Sequence, residues 1–421
     1  MNGFVRIIAL LPGLVLTAEL LSRAGADWFG AYMAGVLTVC LSVLLTDRAV
    51  IAPEAALTAE LVFSSVYIMG LGHGAARVIL LLGALLVLPV GSLLTRCTER
   101  LRMIISSAAI LGLALMLLSM GFGQSGLVRP AVMTHSQLGN LLAPDVLVTL
   151  LTLLVMGLLR AGSRTKGYTF AGGLIFALLL AVGEGFLDLD EGIFALPSAE
   201  YIGKVWFAFD IPAAWEVCLT APGDVLLPAV TIAITMVTLT GAVCRAAEML
   251  TREDREDASA DDGLNRRSSL LGAVSACLGS GPVTLSPLSL LGRDGKADDS
   301  RYGMLAAAVL LLFSAPLARS VAECPGIIAP FYLWLGGRLT IGSLMRLTET
   351  LGPRENAGPE GAVTAASAVL AALSCNLTAG IGAALVSYTV LQLLKGQGRS
   401  ITGAEWLITG CYLLYFSSYC F

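Results

Sequence analysis

Apolar stretches of about 14 to 25 residues, each closed by a short polar connection, repeat along the chain from Phe4 to Phe421. At a rise of about 1.5 Å per residue, a helix of that length matches a hydrocarbon layer about 30 Å thick. The pattern predicts helices over 4–22, 29–46, 50–70, 75–95, 103–123, 145–160 and 167–183. After a break it predicts 223–249, 266–279, 282–292, 302–318, 325–345, 361–376 and 378–395, with a surplus apolar segment at 403–420 that either spans or lies in the interface. The expected fold class is an all-α polytopic membrane protein of fourteen spans. Met1 to Arg23 reads as the first of them rather than as a secretion signal, because no small-residue cleavage site precedes a soluble domain.

Basic residues are retained on the cytoplasmic side of short loops. With the N-terminus cytoplasmic, that side carries Arg48; Arg96, Arg100 and Arg102; Arg160, Arg164 and Lys166; Arg252, Arg255, Arg266 and Arg267; Arg293, Lys296 and Arg301; Arg346 and Arg354; Lys395 and Arg399. The opposite side keeps Arg23, Arg77, Arg129, Lys204 and Arg319. Seven spans are an odd number, so the second group of seven enters with opposite orientation, the arrangement of an inverted repeat. The expected organisation is a first repeat over 1–183, an acidic extracytoplasmic connection over 184–222 with Asp188, Asp190, Glu191, Glu200 and Asp210, a second repeat over 223–395, and a hydrophobic segment over 396–421. The location implied is the cell's inner (plasma) membrane.

Composition narrows the class further. Of 421 residues, 56% are hydrophobic and 13% charged, against about a quarter charged in a typical soluble domain. Basic residues sit singly at segment ends, so nucleic acid is not an expected partner. Nine cysteines without a CxxC spacing and two histidines, His73 and His135, give no metal or cofactor motif. An enzyme is excluded because no nucleophile, metal or acid–base constellation is present.

Two apolar runs are interrupted. In the first, Pro53 lacks a backbone donor and disfavours helical geometry at Ala52, so Ile51 to Pro53 is expected to be extended, with a helix starting near Glu54. In the second, Gly279, Gly281, Pro282 and Pro287 break the chain, while Ser280, Thr284 and Ser286 supply hydroxyls. Unwound backbone at membrane depth is tolerated only against protein or a watery cavity, so a broken pair, one per half, marks a transport site. The alternative is a packing kink in each run, relieved by the hydroxyls.

The intramembrane carboxylates are Glu19, Glu54 and Glu60. Such groups are costly in hydrocarbon and commonly face a cavity. Glu19 pairs most simply with Arg23 at i+4. Glu60 could be a structural acid bonded to neighbouring helices, and Glu54 is the leading functional carboxylate. In the segment 235–243, Thr235, Thr238 and Thr240 lie beside Gly241; each threonine alone would bond its own i−4 carbonyl.

RAVIAPEAALTAELVF (48–63), LGSGPVTLSPLSLLG (278–292) and GIGAALVSYTVLQLLKGQGR (380–399) occur in this order. In wording and order they resemble the third-, tenth- and penultimate-helix motifs of the nucleobase:cation symporter-2 superfamily, the xanthine/uracil permeases, and within it the adenine/guanine/hypoxanthine permease branch. The resemblance implies fourteen helices in a core and a gate domain, with solute held between the third, tenth and eighth helices. It also implies, weakly, a homodimer. Family acids on the eighth and tenth helices fall here on Thr238 and Leu288, while Glu54 replaces what is commonly glycine. The expected solute pocket comprises Thr17, Ala52, Pro53, Glu54, Thr238, Thr240, Gly241, Ser280, Gly281 and Thr284, with Glu54 the candidate for proton coupling. The function implied is a secondary-active permease for a nucleobase-like solute, coupled to H+, to Na+ or to neither. The rivals are an anion transporter of sulfate-permease architecture, which would be expected to carry a C-terminal cytoplasmic domain, and a non-transporting membrane scaffold or sensor.

Overall fold

A computed structural model describes residues 2–46, 50–131, 135–162, 165–187, 189, 192–251, 260–292, 301–351 and 357–418. Of the residues named above, Arg48, Arg164, Asp188, Asp190, Glu191, Arg252, Arg255, Arg293, Lys296 and Arg354 lie outside the described residues, as do the side chains of His135, Lys166 and Arg346.

The chain opens with α1 (Asn2–Ile8), α2 (Leu11–Arg23) and α3 (Trp28–Leu45), followed by strand β1 (Ile51–Pro53) and α4 (Ala55–Leu61). A π-helical stretch, Val62–Ile68, continues α4, and the long helices α5 (His73–Leu94) and α6 (Glu99–Gln124) come next. A hairpin of β2 (Val128–Ala131) and β3 (His135–Leu138) leads to α7 (Pro144–Ala161) and α8 (Thr169–Gly183). Two short helices, α9 (Ala199–Val205) and α10 (Ile211–Thr220), precede α11 (Pro222–Thr251) and α12 (Ala260–Leu278). Strand β4 (Val283–Leu285) follows, then a 3-10 turn Leu288–Gly292, α13 (Arg301–Phe313) and α14 (Ala315–Glu323). The last helices are α15 (Ala329–Leu351), α16 (Ala357–Ser374), α17 (Leu377–Leu394) and α18 (Gly403–Ser418).

Among the described residues eight helical segments are long and apolar enough to cross a bilayer, and α13 with α14 supplies a ninth as a bent pair. The protein is therefore an all-α, multi-pass membrane protein. Its helices fall into two packed groups: α5 lies against α11 and α12, with α3 against α2 and α13, while α6 is embraced by α15, α16 and α17. Leu158 of α7, Leu179 of α8 and Leu394 of α17 turn outward, as lipid-facing positions do.

Several expected helices differ from those observed. The helix expected over 282–292 is replaced by β4 and a 3-10 turn, because Pro282 and Pro287 remove two backbone donors within six residues. The helix expected over 302–318 is two helices bent by 68° about Ser314, with Pro316 in the first turn of α14. The central connection holds α9 and α10, and Val205 of α9 packs so closely that a β-carbon added to Gly30 would lie 2.3 Å from its Cγ2.

Arg77, in the first turn of the helix expected over 75–95 and assigned to the extracytoplasmic side, is 1% exposed. Its guanidinium donates to the carbonyls of Ala276 (2.7 Å), Cys277 (2.9 Å), Val205 (2.6 Å) and Ala208 (3.2 Å) and lies over the Phe209 ring. The last carbonyls of a helix have no intrahelical partner, so Arg77 closes the C-terminus of α12 just where Gly279, at φ +91°, turns the chain into β4. A second ionic cluster ties α6 to the C-terminal helices. Arg100 donates to Glu360 (2.9 Å) with Lys395 on its other oxygen (3.7 Å), and Glu405 accepts from the backbone N–H of Thr98 and of Thr402, both at 2.9 Å. The C-terminal segment thus packs against α11 and α17 with Tyr412 and Tyr415 buried, rather than using those tyrosines as interfacial anchors; Tyr419 lies outside the described residues.

The Arg77 fork predicts its own mutant behaviour. A lysine is a point charge without planar donors and cannot reach four carbonyls at once. Arg77→Lys should destabilise the protein by about 3 kcal/mol, the order for disrupting a buried charged hydrogen-bond set. Thermal unfolding of the detergent-purified protein measures this, and an unchanged midpoint would show the fork to be dispensable.

Candidate functional site

The two broken runs meet. Strands β1 and β4 pair antiparallel with Ile51 opposite Leu285, Ala52 opposite Thr284 and Pro53 opposite Val283. Beyond the ladder, the Glu54 N–H donates to the Pro282 carbonyl and the Ser286 N–H to the Val50 carbonyl, each at 2.9 Å. Side chains complete the set: Ser42 Oγ accepts from the Ile51 N–H (2.8 Å), and Ser275 Oγ donates to the Gly281 carbonyl (2.6 Å). Backbone that left the helical ladder is in this way paired inside the protein, as a low-dielectric setting requires.

Glu54 stands at the N-cap of α4 in extended geometry, and Thr58 Oγ1 donates to its carbonyl at 2.9 Å. The junction is tight. A β-carbon placed on Gly281 would lie 2.1 Å from Thr58 Oγ1 and 3.3 Å from Thr17 Cγ2; one on Gly35 would meet Ser280 Oγ at 3.4 Å and Pro53 Cγ at 3.7 Å. Thr17, Ala52, Pro53, Glu54, Ser280, Gly281 and Thr284 are thereby brought together and buried. Tyr332, near the start of α15, joins them. Its phenol is 4.0 Å from the β-carbon position of Gly13, where Leu288 Cδ1 also packs, and it interacts electrostatically with the Glu54 carboxylate.

The polar atoms of this cluster are unusual in one respect. The hydroxyls of Thr17, Ser280 and Tyr332 are buried without a hydrogen-bond partner, although buried polar atoms are nearly always satisfied. They belong to the same buried cluster as Glu54. Such a set suits a ligand that both donates and accepts hydrogen bonds.

The residues expected from α11 divide. Thr238 and Gly241 line a separate cavity of about 100 Å³ with Ser106, Arg102, Arg245 and Asn265. Thr240, two positions on and about 160° around a helix from Thr238, is buried with an unpartnered hydroxyl. Thr235 bonds the Thr231 carbonyl at 2.9 Å and also meets Thr378 across the interface. Glu19 pairs with Arg23 at 3.3 Å, as its spacing implies. Glu60 accepts from the Thr378 N–H at 3.3 Å. Among the described residues, no group of three or more His, Cys, Asp or Glu side chains could hold a metal.

Tyr332 and Thr58 were not legible as site residues. A tyrosine early in an apolar helix carries no local signal beyond its need for a polar partner, and Thr58 reads as one more helical hydroxyl.

No protein-family model matches the chain. It is 26% identical over 310 residues to the guanine/hypoxanthine permease PbuO of Bacillus subtilis (strain 168), an alignment covering 69% of this chain. The chain is a distant homologue of that permease. It spans 65% of the relative's length. Its fold is shared with the transmembrane domain of the cyanobacterium bicarbonate transporter BicA, with a TM-score of 0.58 at 14% identity over 90% of this chain and 97% of that one. The murine Solute Carrier 26 family member A9 anion transporter gives a TM-score of 0.58 at 10% identity over 94% and 68% of the two chains. These homologues and fold relatives are transporters, not enzymes.

Close packing at Gly281 makes a specific expectation. Gly281→Ala should lower the yield of folded protein or its thermal midpoint, because the new methyl meets Thr58 Oγ1, and Thr58→Ala should restore most of the loss. Fluorescence-detected size exclusion of the two single variants and the double variant reads the coupling; additive effects would mean that the two positions do not touch.

Proposed function

We propose that the protein is a secondary-active permease for a nucleobase-like solute, bound at the β1–β4 junction and moved by alternating access. The observation that carries this reading is the buried Glu54 at the β1–β4 junction, with the unpartnered hydroxyls of Thr17, Ser280 and Tyr332 in the same cluster. A purine or pyrimidine edge offers ring N–H donors to the carboxylate and ring carbonyls or nitrogens to the hydroxyls. Distant homology to a guanine/hypoxanthine permease supports the same class.

In this reading the chain is a seven-plus-seven inverted repeat with α18 as an additional helix. The helix group built on α5, α11 and α12 moves against the group built on α6, α15 and α16, and Tyr332 brings the second group to the solute. Thr238 and Leu288 have no proton to exchange near neutral pH, which leaves Glu54 as the titratable group at the junction. Its carboxylate would alternate between holding a proton and holding a ring N–H. A second reading, transport of a small anion, has the fold likeness to two anion-transporting proteins in its favour; Glu54 at the heart of the junction opposes it, because like charges in a low-dielectric site repel strongly.

Reconstituted into proteoliposomes, the protein is expected to take up at least one of a panel of labelled purines and pyrimidines, and not bicarbonate or sulfate. Glu54→Gln should abolish proton-driven accumulation while sparing exchange. Tyr332→Phe, which removes one hydrogen bond of about 1 kcal/mol, should weaken solute affinity several-fold. Uptake of anions alone would replace this reading with the second one, and accumulation unchanged in Glu54→Gln at every pH would remove Glu54 from coupling.

A further inference from the structure

Glu60 is a buried carboxylate of α4 that neither the junction nor the ionic clusters use. It is 3% exposed, yet it lines a cavity of about 320 Å³ between the end of α2, the π-helical stretch and the α16–α17 turn. That volume falls at the small end of known small-molecule sites. The cavity lies where α5 begins; α5 ends at Leu94, next to Arg96, Arg100 and Arg102, and its 22 residues separate the two ends by about 33 Å.

Three further features converge on this cavity. Phe63 and Tyr67 line it together with Glu60, so one carboxylate and two aromatic side chains border the same space. Residues 62–68 are π-helical, a widened turn that is frequent at functional sites. Cys375, on the opposite wall, holds φ at +48°, a conformation that non-glycine residues adopt only where the surroundings impose it. Glu60 is itself held in place: the Thr378 N–H donates to one of its oxygens at 3.3 Å, and Asn376, also in the wall, caps α17 by accepting from the Ala379 N–H at 2.7 Å. Interfacial aromatics alone would account for Phe63 and Tyr67 but not for a fixed, buried carboxylate behind them.

We infer that this cavity is a second solute site, reached from the end of the molecule where α5 begins, that takes a planar N–H-bearing heterocycle edge-on to Glu60 with its face against Phe63 or Tyr67. It rests on the nucleobase reading for its ligand class, and it adds a waiting position about six residues along α4 from Glu54, a rise of about 9 Å.

Cys375, exposed and with a free thiol, provides the readout. In the full-length protein in proteoliposomes, the rate of maleimide alkylation at Cys375, followed by mass spectrometry, should fall as hypoxanthine saturates. Glu60→Gln should raise the half-protecting hypoxanthine concentration at least tenfold, the scale expected on losing a hydrogen bond to a charged group. Phe63→Leu should raise it several-fold, and Glu54→Gln should leave it unchanged. Hypoxanthine uptake is measured in the same vesicles. Protection with or without uptake supports the second site; uptake without protection overturns it and leaves the permease reading standing. Absence of both overturns both for this solute, and protection of equal strength in Glu60→Gln overturns the assignment of the carboxylate.

Discussion

In hydrocarbon a backbone N–H or carbonyl cannot turn to water, and every departure from the helix has to be paired within the protein at a cost of several kcal/mol per group otherwise. This constraint organises the centre of the molecule. Pro53 and Pro282 force two runs out of helical geometry, and neither exposed edge is tolerable alone. The two edges satisfy one another through β1 and β4, with Ser42 and Ser275 supplying the remaining bonds. The pairing joins segments more than 200 positions apart, so it also fixes how the first and second parts of the chain stand relative to each other.

Charged side chains obey the same rule elsewhere. Arg77 is surrounded by carbonyls that the end of α12 and the α9 region leave open, and Glu360 and Glu405 are met by Arg100, Lys395 and the N-terminal amides of α6 and α18. These clusters lie toward the ends of the helices and are saturated. They behave as fasteners. The centre differs, since the hydroxyls of Thr17, Ser280 and Tyr332 are as deeply buried but have no partner.

The resemblance noted in the sequence would place acids at Thr238 and Leu288, where this chain carries a hydroxyl and an aliphatic side chain. Leu288 packs at Gly13 beside the Tyr332 phenol. Thr238 faces a cavity rimmed by Arg102 and Arg245, away from Glu54's neighbours. The carboxylate at the junction therefore comes from α4 rather than from α11 or the segment after β4.

The sequence by itself determined the membrane class, most of the helix positions and the two places where the helices break, because these follow from local chemistry: apolar length against bilayer thickness, and the missing donors of Pro53, Pro282 and Pro287. It also determined the Glu19–Arg23 pair, which a single helical turn brings together. Only the tertiary structure decided that Arg77 is buried against carbonyls of α12 and the α9 region, that 282–292 holds a strand, that Tyr332 joins the Glu54 cluster, and that Thr238 lines a separate cavity. Each of those depends on which distant carbonyl, strand edge or carboxylate is available as a partner, and periodicity along the chain carries no information about partners that lie on other helices.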